Sequence, residues 1–197
     1  MVLSRIVLSL GLAAAALVLH AQSTPRVPGS DAIKRQVKRP VKLDRTGFEF
    51  GVFDAGPLLI SGQPSEEALR ALAKEGYTMV INLRPNEEMQ RVAVPESAVL
   101  QELGIEYVRI PMNGSETYPY SPETIDKFAE ALSRNQGKGK TLLHCTVAYR
   151  ASYVWTAYLV RHLGMDLNEA VPHGEAINMR NLLEPFLGKK IRYGDGR

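Results

Sequence analysis

The sequence predicts a single-domain α/β protein with a mostly parallel central sheet flanked by helices. The 197 residues are 45% hydrophobic and 23% charged, which is ordinary for one globular domain. Short apolar runs alternate with amphipathic segments, and no segment repeats another. This alternation is typical of parallel strands whose connecting helices cover both faces of a sheet.

The first 21 residues have the pattern of an export signal. Arg5 precedes an uncharged apolar run over residues 6–19, and Ala21 provides a small residue at which cleavage can occur. The run is shorter than a membrane-spanning helix usually requires. We therefore expect a cleavable signal peptide over residues 1–21 and a periplasmic or secreted mature chain. An uncleaved membrane anchor is the alternative.

Residues 22–47 are predicted to form a basic, flexible linker. The stretch contains seven Lys and Arg residues against two Asp residues, three prolines and no aromatic residue. A basic segment can contact an anionic membrane or nucleic acid, but this composition favours a solvated linker. The net charge of the whole chain is only +3. We expect no nucleic-acid partner, and membrane contact only through the signal peptide or weakly through this linker.

The predicted globular domain covers residues 48–190 and leaves a polar tail over residues 191–197. Glycines interrupt its first apolar stretch, residues 48–61, and predict a short hairpin or two brief strands. Ser65 is a typical N-cap, so a helix is expected from there to about Gly76. The continuous apolar run YTMVINL comes next, which predicts a strand that is buried on both sides.

The second half of the domain continues this alternation. An amphipathic helix is expected over residues 95–103, and the run IEYVRIP predicts the next strand. Ser121 followed by Pro122 is a strong helix start. The run TLLHC predicts a third buried strand, which leads directly into the helix ASYVWTAYLVRHLG. Shorter helical segments are expected over residues 167–171 and 179–187.

Cys145 is the only cysteine, so no disulfide can form within the chain. It ends a predicted buried strand, and the next helix begins near Arg150. The backbone N–H groups of the intervening loop and the helix N-terminus can bind an anion and favour a thiolate. The planar guanidinium of Arg150 matches phosphate oxygens. The pattern predicts phosphoryl transfer through a cysteinyl-phosphate intermediate; a buried, inert cysteine is the alternative.

The string HCTVAYRAS, residues 144–152, resembles the signature loop of the protein tyrosine phosphatase superfamily. The upstream strings ISGQPSEEALRALAKEGYTMVINLRPNEE and YVRIP resemble the matching segments of bacterial dual-specificity-like phosphatases. The resemblance covers about residues 48–163. It implies a phosphatase-like fold in which Cys145 is the nucleophile, Arg150 clamps the phosphate and His144 sets the loop. The residues expected to hold the phosphate are His144, Thr146, Val147, Ala148, Tyr149 and Arg150.

The resemblance further implies a phosphorylated protein or small molecule as substrate, with phosphotyrosine as one candidate. Three departures keep other functions open. Four residues separate Cys145 from Arg150 instead of the usual five, which is the spacing of a rhodanese-type sulfurtransferase. The loop contains no glycine, and Ala151 stands where a hydroxyl residue normally follows the arginine, with Ser152 one position later. The alternatives are a sulfurtransferase and a non-catalytic module that binds phosphate or another anion.

The general acid is expected on the loop that follows the strand YVRIP. In the family this loop carries an aspartate, but residues 112–120 of this chain contain none. Glu116 is the only carboxylate there, and it is our candidate for the proton donor to the leaving oxygen. A solvated Glu116 without a catalytic role is the alternative. Asp126, in the next helix, is expected to face solvent.

The remaining polar candidates have weaker signals. Arg84 ends a predicted parallel strand and could lie at the edge of the same anion pocket. His162 and His173 show no metal-ligand spacing, so no metal is expected. The chain has neither a phosphate-binding glycine loop of the nucleotide-hydrolase type nor a dinucleotide-binding fingerprint, and we expect no cofactor. Trp155 is predicted to pack in the core.

Overall fold

The computed structural model describes residues 28–180 and 183–188. The predicted signal peptide, the start of the predicted linker and the predicted tail lie outside these residues. The strands of the described part form one six-stranded sheet in the order β1-β2-β3-β6-β4-β5. The strands are β1 (Val41–Leu43), β2 (Val52–Asp54), β3 (Leu58–Ser61), β4 (Tyr77–Asn82), β5 (Glu106–Arg109) and β6 (Lys140–His144). The helices are α1 (Ser30–Gln36), α2 (Glu66–Lys74), α3 (Asn86–Met89), α4 (Glu96–Glu102), α5 (Pro122–Asn135), α6 (Tyr149–Arg161), α7 (Leu167–Glu175) and α8 (Glu184–Leu187).

The sheet is mostly parallel, as predicted. Strands β3, β6, β4 and β5 are parallel neighbours, whereas β1 and β2 extend one edge in antiparallel pairing. The central strand β6 is flanked by β3 and β4. At the carboxyl ends of these three strands, Ser61 and Asn82 both align with His144. Ligands of open α/β sheets bind beyond this edge, so the fold places the residue after His144 at such a position.

Helices cover both faces of the sheet. On one face, α5 and α6 bury Phe128, Trp155 and Tyr158. Trp155 lies in the core as predicted, and its ring stacks on Tyr158 with the centroids 5.8 Å apart. On the other face, α2 and α4 bury Leu72 and Leu100. Burial of α6 against the sheet fixes where its N-terminus lies, because the helix follows β6 after a loop of only a few residues.

The basic segment after residue 27 differs from the predicted flexible linker. It contains α1 and β1, and β1 pairs with β2 in the sheet. Ile33 is buried in the main core, and Lys34 Nζ donates a hydrogen bond of 2.9 Å to the carbonyl oxygen of Leu163. The basic composition gave no sign of these contacts, because very few apolar side chains anchor the segment to the domain.

The later elements agree with the predicted order but differ in extent. Ser65 caps α2, where its hydroxyl accepts the N–H of Ala68 at 3.2 Å. Helix α7 runs to Glu175 and is longer than expected, whereas α8 covers only a part of the helical segment expected over residues 179–187. In residues 28–180 and 183–188, every helix is too short or too polar to cross a lipid bilayer.

Candidate active site

Cys145 lies at the carboxyl end of the central strand and is completely buried (0% exposed). Residues 146–148 connect it to α6, so the thiol and the helix N-terminus are held close together by a very short loop. The last loop residue, Ala148, adopts the left-handed conformation with φ 58° and ψ 0°. The sequence analysis expected a glycine at such a turn, because side chains disfavour positive φ. An alanine meets the same geometric requirement here, at an energetic cost.

The loop carbonyl groups are bonded on the outside of the turn. The carbonyl oxygen of Thr146 accepts the backbone N–H of Gln63 at 2.9 Å, and that of Val147 accepts Asn178 Nδ2 at 2.9 Å. By contrast, the backbone N–H groups of residues 146, 149 and 150 have no acceptor within the part of the chain that the structure describes, whereas Val147 forms an isolated antiparallel bridge with Gly62. Unpaired N–H groups at the start of a helix are donors that an anion-binding loop can use.

Arg150, in the first turn of α6, is almost fully buried (8% exposed) and is held by an acidic partner. Its Nη1 donates to Glu88 Oε1 at 2.9 Å, and its Nη2 donates to Glu88 Oε2 at 2.7 Å. The same nitrogens also donate to the Met112 carbonyl oxygen at 2.9 Å and to Thr146 Oγ1 at 2.8 Å. These bonds fix the plane of the guanidinium group beside the Cys145 loop.

Electrostatics couple Arg150 to the nucleophile. Burial lowers the pKa of Arg150, but the hydrogen bonds with Glu88 and the charge of a Cys145 thiolate outweigh burial and raise it. Cys145 and Arg150, both predicted from the sequence, are therefore brought together.

Glu88, on the short helix α3, was not found by the sequence analysis. Besides Arg150, its carboxylate accepts hydrogen bonds from Thr146 Oγ1 at 2.8 Å and from Arg84 Nε at 3.1 Å. Burial raises the pKa of Glu88, but the bonds with Arg150 and Thr146 prevail and leave it lowered. The signal that could have found it is its position four residues after Arg84, just beyond the carboxyl end of a parallel strand.

Arg84 lies at the edge of this cluster, as the sequence analysis suggested. It is buried, and its Nη1 donates to Gln63 Oε1 at 2.7 Å. Glu88 thus lies between two arginines, Arg84 and Arg150, and contacts the hydroxyl of one loop residue. The chain itself supplies a carboxylate beside the loop that the sequence predicts to bind phosphate.

A second, buried acid contacts His144, the residue before Cys145. Glu96 Oε1 lies 2.6 Å from His144 Nε2, and its Oε2 accepts Asn82 Nδ2 at 2.9 Å. Burial raises the pKa of Glu96, but the charge and hydrogen bond of His144 outweigh burial and lower it. Asn82 also donates to Tyr107 Oη at 2.9 Å. The family resemblance implied that His144 sets the loop. In the structure its Nε2 is paired with Glu96, whereas its Nδ1 has no hydrogen-bond partner among the described residues.

The candidate general acid, Glu116, lies on an exposed loop after β5. No hydrogen bond or ion pair joins it to the Cys145 loop in the residues that the structure covers. The base of its loop does reach the site, because the Met112 carbonyl oxygen binds Arg150. Within the loop, the Tyr118 carbonyl oxygen accepts the N–H groups of Asn113 and Gly114, each at 3.0 Å.

Two other polar side chains have structural partners away from the thiol. Ser152, considered as a substitute for the missing hydroxyl residue, donates its hydroxyl hydrogen to the Tyr149 carbonyl oxygen at 2.6 Å. Asp126 was expected to face solvent, but it is only partly exposed and binds Arg161 Nε at 2.7 Å and His162 Nε2 at 2.8 Å. These bonds with Arg161 and His162 lower the pKa of Asp126.

The chain is similar to several known proteins. A family model described as "DSP-PTPase phosphatase fused to NAD+ Kinase" matches residues 56–181. A beta-lactamase hydrolase-like protein of Xylella fastidiosa is 29% identical over 126 residues, which are 62% of this chain but 28% of that protein. The chain therefore matches less than a third of the length of this relative.

Two solved structures resemble the chain. A putative phosphatase (DUF442) of Shewanella putrefaciens CN-32 is 27% identical, with 66% of this chain and 89% of that chain covered and a TM-score of 0.50. PTPMT1 in complex with PI(5)P is 19% identical, with 66% of this chain and 88% of that chain covered and a TM-score of 0.55. The similarity to PTPMT1 shows a shared fold.

Proposed function

Because the chain belongs to the family of DSP-PTPase phosphatases described as fused to NAD+ kinase, we propose that it is a cysteine-dependent phosphatase acting on phosphomonoesters. The observation that carries the proposal is the loop after β6. It combines a thiol at the end of a central strand, backbone N–H groups without acceptors at the start of α6 and the buried cation of Arg150. These are the groups that a transferring phosphoryl group requires around it.

In the proposed reaction, the Cys145 thiolate attacks the phosphorus atom and the bond from phosphorus to the alcohol oxygen breaks. The alcohol leaves as it takes up a proton from a general acid. Water then attacks the cysteinyl-phosphate while the same group, now a base, accepts a proton from the water. The sulfur–phosphorus bond breaks, inorganic phosphate is released and the thiolate is restored.

Glu88 acts in this scheme as a positioning residue. Its carboxylate binds the two terminal nitrogens of Arg150. Holding the guanidinium in place before substrate binds reduces the reorganisation that the transition state would otherwise demand. Thr146 links Glu88 to the loop, so the acid, the arginine and the loop form one rigid unit.

Glu116 is proposed as the general acid. It is the carboxylate on the loop between β5 and α5, and the base of this loop contacts Arg150 through Met112. To protonate the leaving oxygen, the loop must close over the site and bring the carboxyl group within hydrogen-bond reach. The motion would replace the exposed position of Glu116 by a contact with substrate.

The experiment that tests the proposal is turnover of nitrophenyl phosphate by the wild type and by Cys145→Ser. An activated leaving group needs little protonation, so the assay tests the nucleophile alone. We expect turnover by the wild type and its loss in the variant. Equal rates, or no turnover by a folded wild type, would contradict the proposal.

The four-residue spacing between Cys145 and Arg150 favours one second candidate, a sulfurtransferase. In such an enzyme the Cys145 thiolate would attack the outer sulfur of thiosulfate, the sulfur–sulfur bond of thiosulfate would break and sulfite would leave. The resulting Cys145 persulfide would be visible as one added sulfur by mass spectrometry. Persulfide formation without phosphoester turnover would favour this candidate. Absence of both activities, together with phosphate binding, would instead indicate an anion-binding module.

We also propose that the chain is exported to the periplasm or secreted. The support is the sequence pattern of residues 1–21, which lie outside the described residues. N-terminal sequencing of the protein from the outer compartment should find a start near Gln22. An intact Met1 on protein from the cytosolic fraction would argue against export.

A further inference from the structure

A pocket adjoins the Cys145 loop and is not used by the mechanism above. Its volume is about 650 Å³, and it shares one wall residue, Thr146, with the loop. Another wall residue, Arg84, binds the positioning acid Glu88. Most of the remaining wall is apolar and comes from three segments of the chain, which contribute Phe48, Phe50, Pro64, Val92, Ala93 and Val94.

Backbone packing ties the pocket to the loop. The N–H of Gln63 binds the carbonyl oxygen of Thr146, and the N–H of Glu49 binds the carbonyl oxygen of Gln63, both at 2.9 Å. Gly62 packs so tightly that a side chain there would collide with the carbonyl groups of Glu49 and Thr146. The turn at residues 49–51 is thus held directly against the Cys145 loop.

The aromatic residue on this turn is unusually placed. Phe50 has a φ of 66°, in the left-handed region that bulky side chains rarely adopt, and its side chain is 47% exposed. Large apolar side chains are normally buried, and here the backbone is strained at the same residue. The ring of Phe50 lies beside that of Phe53, with the centroids 6.2 Å apart, and 6.0 Å from Lys42 Nζ. Its exposed part lines the edge of the pocket.

The charges around the pocket do not favour a second anion. Arg84 shares the carboxylate of Glu88 with Arg150 and also binds Gln63. Arg91 and Glu49 are exposed at the wall and carry opposite charges, and neither makes an ion pair with another residue of the described part. The exposed charges at the wall are therefore of both signs, and most of the wall is apolar.

We propose that this pocket binds the apolar alcohol part of the substrate, so that the protein prefers phosphomonoesters of alcohols larger than a single ring. This rests on the proposed phosphatase function. The volume is in the range of small-molecule pockets, about 300–1,000 Å³. A cavity of about 150 Å³ suffices for benzene, so the pocket accepts a fused-ring or similarly extended group. Phe48 and Phe50 form one wall of this subsite, and the segment from Val92 to Val94 forms the other.

The test compares phenyl phosphate with 2-naphthyl phosphate, two esters whose leaving phenolates have similar basicity. We expect the wild type to hydrolyse the naphthyl ester with a kcat/KM about tenfold higher, the size of discrimination that an apolar pocket provides. Phe50→Ala should remove most of this preference. Val41→Ala is the matched control, because Val41 is another exposed apolar residue (56%) that lies outside the pocket.

Equal kcat/KM values for the two esters in the wild type would mean that something other than substrate fills the pocket, such as another segment of the chain, and would overturn the proposal. The same holds if Phe50→Ala keeps the full preference. If neither ester is hydrolysed, the proposed phosphatase function is wrong. The subsite is then tested separately by measuring how tightly the two esters bind. Naphthyl phosphate should then bind Cys145→Ser about tenfold more tightly than phenyl phosphate by calorimetry; equal affinity would refute the subsite.

Discussion

The carboxylate of Glu88 binds both terminal nitrogens of Arg150, at 2.9 Å from Nη1 and at 2.7 Å from Nη2. The two residues are 62 positions apart in the sequence, and each belongs to an element that follows a parallel strand of the central sheet. Bidentate pairs of this kind are stronger and more directional than single hydrogen bonds. The arginine that the proposed reaction needs is therefore oriented before any substrate arrives.

Replacing Glu88 with Gln should lower both activity and stability. Arg150 would remain buried without its counter-charge, which costs about 1–3 kcal/mol in the free energy of unfolding. The guanidinium would also lose its fixed plane, and we expect kcat to fall at least about tenfold, with a smaller change in KM. Kinetics and urea unfolding measure the two effects. Glu88→Asp should recover part of the loss.

Glu87→Gln is the control for this experiment, because Glu87 is exposed on the same helix. It should change neither kcat nor the free energy of unfolding by a measurable amount. A Glu88→Gln variant with a higher kcat/KM than the wild type would show that Glu88 competes with phosphate instead of positioning Arg150.

The stabilisation by Glu88 should depend on pH. Its pKa in the folded protein is below the ordinary value of 4.5. A carboxyl group with a lowered folded pKa stabilises the protein fully above its unfolded pKa, and this contribution disappears as the pH falls through the folded value. The difference in unfolding free energy between the wild type and Glu88→Gln should therefore be constant above about pH 5 and shrink in more acidic solution. A difference that grows on acidification would contradict this assignment.

Glu96→Gln should destabilise the protein by about 1–3 kcal/mol. Glu96 is 2% exposed and pairs with the fully buried His144. In the variant, His144 would be paired with an amide, which is a weaker hydrogen-bond acceptor than the carboxylate. Thermal or urea unfolding measures the change. Glu102→Gln, at the exposed end of the same helix, removes a surface ion pair with Arg70 and should cost less than Glu96→Gln. Equal effects of the two substitutions would show that the His144 pair has no special role.

Ala148→Gly should stabilise the protein by about 0.5–1 kcal/mol. The left-handed conformation costs a residue with a side chain about 1–2 kcal/mol, and glycine relieves this at a smaller entropic cost of about 0.4–1 kcal/mol. Ala151 is the third residue of α6, where glycine disfavours the helix. Ala151→Gly should therefore have the opposite effect and destabilise the protein by about 1 kcal/mol. The prediction fails if both substitutions destabilise equally in urea unfolding.

Glu116→Gln should slow esters with poor leaving groups far more than esters with good ones. Proton donation to the leaving oxygen contributes about 100- to 10,000-fold, and only a basic leaving group needs it. Phosphotyrosine and nitrophenyl phosphate provide the two cases. Glu123→Gln, at the exposed start of α5, is the control and should affect neither ester. If Glu116→Gln slows neither substrate, the proton comes from another group or from water.

The sequence by itself determined the centre of the candidate site. Apolar runs fix the strand that ends at Cys145 and the helix that carries Arg150, and only a short loop separates them. Two residues five positions apart across a strand–loop–helix junction must lie close together, because the chain between them has no room to separate them. The mostly parallel sheet also followed from local patterning, since the alternation of apolar runs and amphipathic helices is visible along the chain.

Only the tertiary structure decided which residues support that centre. Glu88 and Glu96 reach Arg150 and His144 across 62 and 48 positions of sequence. Each looks like an ordinary surface acid on a short helix, and no periodicity distinguishes it from its neighbours. The same is true of Phe50, whose backbone conformation depends on the close approach of Gly62. These contacts depend on which parallel strands are neighbours in the sheet. The strand order cannot be predicted from any local stretch of the sequence.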